Sequence, residues 1–179
     1  MFQTKEFLID LYAIFIFATV VASSTKPTVL IVPGAWHQPL HYSIFQSFLE
    51  RAGYPVVIHA NPSLNSSTPK HISTSTDAAF IRDSVLLPLI KDGKNVLQIM
   101  HSYGGSPGAA AAYGLSKREL GNFKEFRGGG VIGLIFMAAF LAPKGASLLS
   151  ELPGGVYRPW TIVNVSQLLV ANTFLFLGN

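Results

Sequence analysis

Short apolar runs alternate with segments of helical spacing along this chain, and that alternation restricts its possible folds more than any other feature. The runs lie near residues 28–32, 54–60, 95–100 and 131–141. Runs without polar alternation are typical of parallel strands that are buried on both faces. The segments between them, near residues 41–52, 77–90 and 103–115, have helical spacing. The order predicts an α/β fold, a doubly wound, mostly parallel sheet with helices on both faces.

Two finer expectations concern the second helical segment. Thr76 or Asp77 is a suitable N-cap, because a short polar side chain can accept a bond from the first free backbone N–H groups. Pro88 is expected to bend the last turn, because its ring removes one helical hydrogen bond.

A serine stands where the third apolar run passes into a helical segment. The stretch MHSYGG (residues 100–105) resembles the pattern G-x-S-x-G, in which a serine on a sharp strand-to-helix turn exposes its hydroxyl group. Met100 replaces the first glycine, whereas Gly104 and Gly105 keep the other side of the turn open. The pattern favours Ser102 as a nucleophile, although an ordinary turn between strand and helix has a similar composition.

The stretch VPGAWH (residues 32–37) follows the first run, at the end of the sheet where Ser102 is expected. Acyl transfer needs two backbone N–H groups that point at the developing oxyanion. One is expected from the residue after the nucleophile, Tyr103, and the other from this loop, most simply from Ala35. The alternative is a Pro-Gly turn in which Trp36 packs as a core residue.

Six motifs in order between about residues 28 and 155 make the chain resemble the α/β-hydrolase superfamily, and within it a fungal group of small esterase-like proteins. They are VPGAWH, RAGYPV, DAAFIRD, MHSYGG, LSKRE and GGVIGLIFMAAFLAPKG, and methionine in place of the first glycine is usual for that group. The resemblance implies Ser102 as nucleophile, with Ala35 and Tyr103 as oxyanion donors. It also implies a later acid and histidine under a helical cap, at positions that this sequence does not contain.

No histidine follows Ser102, although in such folds the catalytic histidine comes last in chain order. The ring of His101 is expected to point away from Ser102, and His59 and His71 are expected to be structural or exposed. His37 and His41 are expected to be exposed near the mouth of the site, with contact to substrate as the alternative. Glu151 is the only carboxylate after the fourth run and is interpreted as a loop residue. We therefore expect an impaired serine hydrolase for a small ester or related acyl substrate. The alternatives are a non-catalytic ligand-binding module and a truncated gene-model product without independent function.

The N-terminal residues 1–24 have the composition of a secretory leader. Residues 7–22 are almost wholly apolar and small polar residues follow, which predicts cleavage near Ala22 or Ser24 and a secreted protein. The alternative is an extra N-terminal segment of a cytoplasmic enzyme. A stable membrane span is not expected, because the run is shorter than the roughly 20 residues that a bilayer core requires.

Composition narrows the possible partners. The net charge is +4 and the basic residues form no coherent stripe, so a nucleic-acid partner is not expected. The absence of cysteine excludes disulfides and thiolate metal sites, and no metal or cofactor is expected. The hydrolase core is expected over residues 25–155.

Residues 156–179 form an atypical apolar tail, which either covers the sheet or is translated intron. If the tail leaves the fourth strand uncovered, that edge could mediate self-association.

Overall fold

The computed structural model describes residues 26–64, 72–141, 143, 153–155, 162–164 and 169–171. Four strands form one parallel sheet with the order β2-β1-β3-β4: β1 (Thr28–Val32), β2 (Val56–Ile58), β3 (Asn95–His101) and β4 (Gly130–Met137). Two further strands, β5 (Ile162–Asn164) and β6 (Leu169–Ala171), pair with each other in antiparallel orientation. The predicted α/β fold with a mostly parallel sheet is confirmed. The predicted leader, residues 1–24, lies outside the described residues, as does most of the predicted tail.

Helices connect the parallel strands. They are α1 (Ser43–Arg51), α2 (Thr74–Phe80), α3 (Leu87–Lys91), α4 (Gly105–Ala112) and α5 (Lys117–Leu120), and a π-helical stretch (Ile81–Leu86) joins α2 to α3. Short 3₁₀ turns lie at Pro39–Tyr42, Ser102–Gly104, Lys124–Phe126 and Pro153–Gly155. None of the helices within the described ranges is long and apolar enough to cross a bilayer.

The two faces of the sheet bury different apolar clusters. On one face Leu30 and Met100 belong to a cluster that includes Ile81, Leu86 and Ala111 from the helices after β2 and β3. On the other face Val29, Ile31 and Ile99 pack with Tyr42 and with side chains of α1. Alternate residues of a strand point to opposite faces, so β1 and β3, which are paired on both sides, have apolar residues at most positions, and the buried Gln98 of β3 is an exception.

Strand ends differ from the predicted ranges for backbone reasons. The Tyr54 N–H group donates a hydrogen bond to the Leu49 carbonyl of α1, and Pro55 has no N–H group. Neither residue can therefore donate to a neighbouring strand, and β2 begins at Val56. The fourth strand ends at Met137 and not near residue 141, because Ala138 adopts a left-handed φ of 43° that turns the chain.

The second helical segment also differs from expectation. Its N-cap is Ser73, whose side chain accepts a bond from the Thr76 N–H group, and neither Thr76 nor Asp77 is the cap. The segment widens into the π-helical stretch just before Pro88, where the Leu87 N–H group reaches back to the Arg82 carbonyl. This local widening, a feature that often occurs at single turns inside α-helices, ends directly before α3, in which Pro88 is the second residue. The bend at Pro88 stays a prediction.

Candidate active site

Ser102 lies on a sharp turn that joins β3 to α4. Its φ is 52°, in the left-handed region that non-glycine residues adopt rarely and at a cost of order 1–3 kcal/mol. The Phe140 N–H group, which follows β4, donates a 3.0 Å hydrogen bond to the Ser102 carbonyl oxygen. The fold thus holds this serine in a strained conformation directly beyond the carboxyl end of a parallel strand, where sites in open α/β sheets lie.

Glycines after the serine allow backbones to approach closely. A Cβ atom on Gly104 would lie 2.6 Å from both the Val32 and Pro33 carbonyl oxygens. A Cβ atom on Gly105 would overlap the Phe140 carbonyl oxygen. Met100 occupies the position of the first glycine of the pattern. A side chain fits there, because that of Met100 is fully buried beside Gly108. The structure therefore explains why the pattern keeps its last glycines and does without its first.

The loop after β1 lies against this turn. The His37 N–H group donates a 3.2 Å bond to the Gly34 carbonyl, which closes a turn around Ala35 and Trp36. A Cβ atom on Gly34 would lie 3.1 Å from the Ser102 Cβ atom. The structure thus brings the loop that carries Ala35 next to the serine, and Tyr103 follows that serine directly. The alternative interpretation, in which Trp36 packs as a core residue, is wrong, because Trp36 is 47% exposed.

Tyr42 and His101 form a polar pair behind the loop. The Gly34 N–H group donates to the Tyr42 hydroxyl group at 2.9 Å, and that hydroxyl group lies 2.7 Å from His101 Nδ1. The Nδ1 atom of His101 therefore faces the Tyr42 hydroxyl group, a contact that the sequence did not predict. Burial, and then the charge of His37, lowers the pKa of the His101 imidazole, and burial raises the pKa of Tyr42.

The remaining histidines lie in different surroundings. The Nδ1 atom of His37 lies 2.8 Å from the Ala35 carbonyl oxygen, which only accepts, so this nitrogen carries the proton. The ring of His37 also contacts that of His101, with centroids 5.0 Å apart. His41 and His59 are exposed, whereas His71 and Glu151 lie outside the described residues. Among the described residues, no group of three His, Asp or Glu side chains could hold a metal ion.

Sequence reasoning missed a buried carboxylate beside the turn. Asp77 is fully buried, and its Oδ2 atom accepts hydrogen bonds from the Tyr103 hydroxyl group at 2.7 Å and from Ser63 Oγ at 2.6 Å. The Ser63 N–H group donates to Oδ1 at 2.9 Å. Burial, and then the bond to Asp77, raises the pKa of Tyr103 above its ordinary value, so the phenol stays a hydrogen-bond donor. The only signal in the sequence was the polar composition of the segment that contains Asp77, which indicated a helix cap instead.

Comparison with known proteins agrees with this architecture. The family model described as "Alpha/beta hydrolase family" matches residues 29–177. The chain is 37% identical over 127 residues to "Alpha/beta hydrolase nvfD" of Aspergillus novofumigatus, an alignment that covers 71% of this chain and 48% of that protein. It is 28% identical over 123 residues to "Probable hydrolase R7" of a Phoma species, with 69% of this chain and 46% of that protein covered.

The chain thus spans about half the length of these curated relatives. No solved structure matches it significantly. The family match covers most of the chain and includes the parallel sheet, the loop after β1 and the turn at Ser102. The chain therefore belongs to the alpha/beta hydrolase family.

Proposed function

We propose that this protein is a serine hydrolase in which Ser102 Oγ attacks the carbonyl carbon of a small ester or related acyl substrate. The bond from that carbon to the leaving group breaks, the leaving group departs with the serine proton, and water then hydrolyses the acyl-serine. The observation that carries the proposal is the left-handed φ of 52° at Ser102, on a strand-to-helix turn of an alpha/beta hydrolase. Strained backbone is concentrated at functional sites. Both relatives are named as hydrolases, which supports the reaction class.

The proposed oxyanion donors are the backbone N–H groups of Ala35 and Tyr103. During attack the carbonyl oxygen gains negative charge, and two fixed N–H dipoles stabilise that charge without reorganisation. The proximity of Gly34 to Ser102 supports this assignment, because Ala35 is the next residue in the loop. The Ala35 carbonyl oxygen accepts a hydrogen bond from His37 Nδ1.

The 179-residue chain has no histidine after Ser102, so we propose that its turnover is slow. A serine without a triad partner keeps only residual catalysis, about 10³–10⁴-fold over water, from oxyanion stabilisation and binding. The competing proposal, a ligand-binding module without catalysis, rests on the same missing histidine.

Active-site labelling tests the proposal directly. We expect an alkyl fluorophosphonate to modify one serine, identified by peptide mass spectrometry as Ser102, and Ser102→Ala to abolish modification. Ser106→Ala is the matched control, because Ser106 lies within α4 and not on the turn. Modification of the Ser102→Ala variant at the wild-type rate would refute the assignment. Thermal stabilisation by a substrate-like ester without any labelling would favour the binding module.

A further inference from the structure

We propose that the turn at residues 61–64 is a brace that fixes the two sides of the oxyanion site relative to each other. This inference rests on the proposed function, because the brace acts on the two backbone donors proposed above. Asn61, Ser63 and Asp77 are positioning residues in this arrangement.

The first arm of the brace reaches the loop after β1. Asn61 is 5% exposed, and its Nδ2 atom donates a 3.0 Å hydrogen bond to the Pro33 carbonyl oxygen. Pro33 is two residues before Ala35 in the loop. A buried side-chain amide that bonds a main-chain carbonyl restricts where that loop can lie, because breaking the bond leaves a buried donor unsatisfied.

The second arm reaches the residue that follows the nucleophile. Ser63 gives two hydrogen bonds to Asp77, one from its N–H group and one from its hydroxyl group. Asp77 accepts a third hydrogen bond from the Tyr103 hydroxyl group. Asp77 is fully buried, so loss of one of these donors leaves a buried acceptor with fewer partners.

Both arms start from the same turn: Asn61 forms the first and Ser63 forms the second. The Leu64 N–H group donates a 2.8 Å bond to the Asn61 carbonyl, which closes the turn and fixes Asn61 relative to Ser63. The chain path from Pro33 through Asn61, Ser63 and Asp77 to Tyr103 therefore consists of short hydrogen bonds and one tight turn. β1 and β3 are adjacent in the sheet, yet their following loops gain a second connection through this turn.

The chemical consequence concerns the spacing of the Ala35 and Tyr103 amides. Oxyanion donors stabilise charge only at hydrogen-bond distance from the position that the oxygen will occupy. A displacement of about 1 Å can reduce a rate by about 100-fold, even when it originates away from the reacting atoms. Loss of either arm is therefore expected to slow attack by Ser102 Oγ and to leave initial binding of the reagent nearly unchanged. With a fluorophosphonate this attack forms an O–P bond and breaks the P–F bond, and fluoride and the serine proton are released.

The test measures modification of Ser102 by an alkyl fluorophosphonate as a function of reagent concentration. This separates the maximal modification rate from the reagent concentration at half-maximal rate. We expect Tyr103→Phe and Asn61→Ala each to lower the maximal rate by about tenfold, with little change in the half-maximal concentration. Because both arms set one spacing, the double variant should lose less than the product of the two single effects.

Arg82→Met is the matched control. Arg82 Nη1 bonds the Ala111 carbonyl at 2.9 Å and the Tyr113 carbonyl at 2.6 Å, so its loss removes helix contacts that involve neither arm. We expect it to keep the wild-type modification rate. Tyr103→Phe removes a single oxygen atom and decides the question if Asn61→Ala does not fold.

Two outcomes count against the brace in different ways. A wild-type protein that is labelled at Ser102, with unchanged rates in Tyr103→Phe, overturns the brace and leaves the proposed function intact. A wild-type protein that is not labelled at Ser102 refutes the proposed function, and the brace is refuted with it. An equal loss of rate in Arg82→Met would show that general destabilisation, and not positioning, slows the reaction.

Discussion

Gly34 and Ser102 are close enough that a single methyl group between them would disturb both. A Cβ atom on Gly34 would lie 3.1 Å from Ser102 Cβ and 2.9 Å from His101 Nδ1. Both contacts are with side chains, which can move by a few tenths of an ångström, so the fold should tolerate the group. The position of Ser102 matters most in this contact, because Ser102 is the proposed nucleophile.

We expect Gly34→Ala to lower the rate of Ser102 modification by a fluorophosphonate about tenfold, because it shifts the serine or the loop. The loss of stability should be about 1–2 kcal/mol, typical of mild overpacking, in urea unfolding. Gly121→Ala is the control. Gly121 directly follows α5, has a φ of −55°, and is far along the chain from the serine turn. An unchanged modification rate in Gly34→Ala would contradict the proposed closeness of loop and nucleophile in solution.

A second prediction concerns the buried amide of Gln98 on β3. Within the described part of the chain, neither its Nε2 nor its Oε1 atom has a hydrogen-bond partner, and the side chain is fully buried. A buried polar group without a partner costs about 1–3 kcal/mol, so Gln98→Met should raise the free energy of unfolding by about 1 kcal/mol. Gln98→Glu should lower it, because a charge would replace the amide. A loss of stability in Gln98→Met would indicate that the amide has a partner in solution.

A third prediction follows from the lowered pKa of His101. Burial first, and then the charge of His37, disfavours the imidazolium form in the folded protein. Between the folded pKa and the ordinary value of about 6.5, the unfolded chain binds more protons, so the folded state loses stability as the pH falls. This contribution is fully present above that ordinary value and is lost as the pH falls to the folded pKa. The neutral ring keeps its hydrogen bond with the Tyr42 hydroxyl group, which lies 2.7 Å from Nδ1.

We therefore expect His101→Gln to reduce the dependence of unfolding free energy on pH between about pH 7 and pH 5. The measurement is a series of urea unfolding curves across that range. The control is His41→Gln, because His41 is exposed on the 3₁₀ turn, where its Nδ1 atom accepts a bond from the nearby Gln38 N–H group. A His101→Gln protein with the wild-type slope would contradict the prediction.

The sheet was predictable from the sequence because its central strands leave little choice. β1 and β3 lie between neighbours and under helices on both faces, so most of their side chains are apolar. Such strands are distinct in a sequence even without alternation. The turn at Ser102 was predictable for a related reason, because close backbone contacts at Gly104 admit only glycine.

The brace was not predictable, because it depends on contacts between distant segments. Asp77 precedes Tyr103 by 26 residues, and only the packing of α2 beside the serine turn brings the carboxylate to the phenol. Asn61 and Ser63 have the composition of an ordinary polar loop. The π-helical stretch before Pro88 was missed similarly, since the proline predicts a disturbed helix without specifying which hydrogen bonds change.

The predicted leader gives a fourth testable outcome. We expect secretory expression in a eukaryotic host to yield a mature protein that begins between Ser23 and Thr25, as read by N-terminal mass spectrometry. Introducing arginines at Ile14 and Phe15 should prevent export, because they interrupt the apolar run that a signal peptide requires. An intact Met1 on protein retained inside the cell would support the alternative of a cytoplasmic enzyme.

The last prediction concerns β4, the edge strand of the parallel sheet. Among the described residues its other side is paired only at its start, through a bridge between Val131 and Ser116. Leu134 is 40% exposed, and Ile132, Ile135 and Phe136 are also exposed, so both faces of this strand present apolar side chains. The strand contains no charged residue, lysine or proline that would oppose pairing with another chain. We expect the 179-residue chain to self-associate in sedimentation velocity, and Leu134→Lys to increase the monomer fraction at equal concentration.

Leu40→Lys is the control, because Leu40 is 74% exposed on the 3₁₀ turn and lies outside the sheet. A monodisperse monomer that unfolds cooperatively, with no change in Leu134→Lys, would show that this edge is covered in solution.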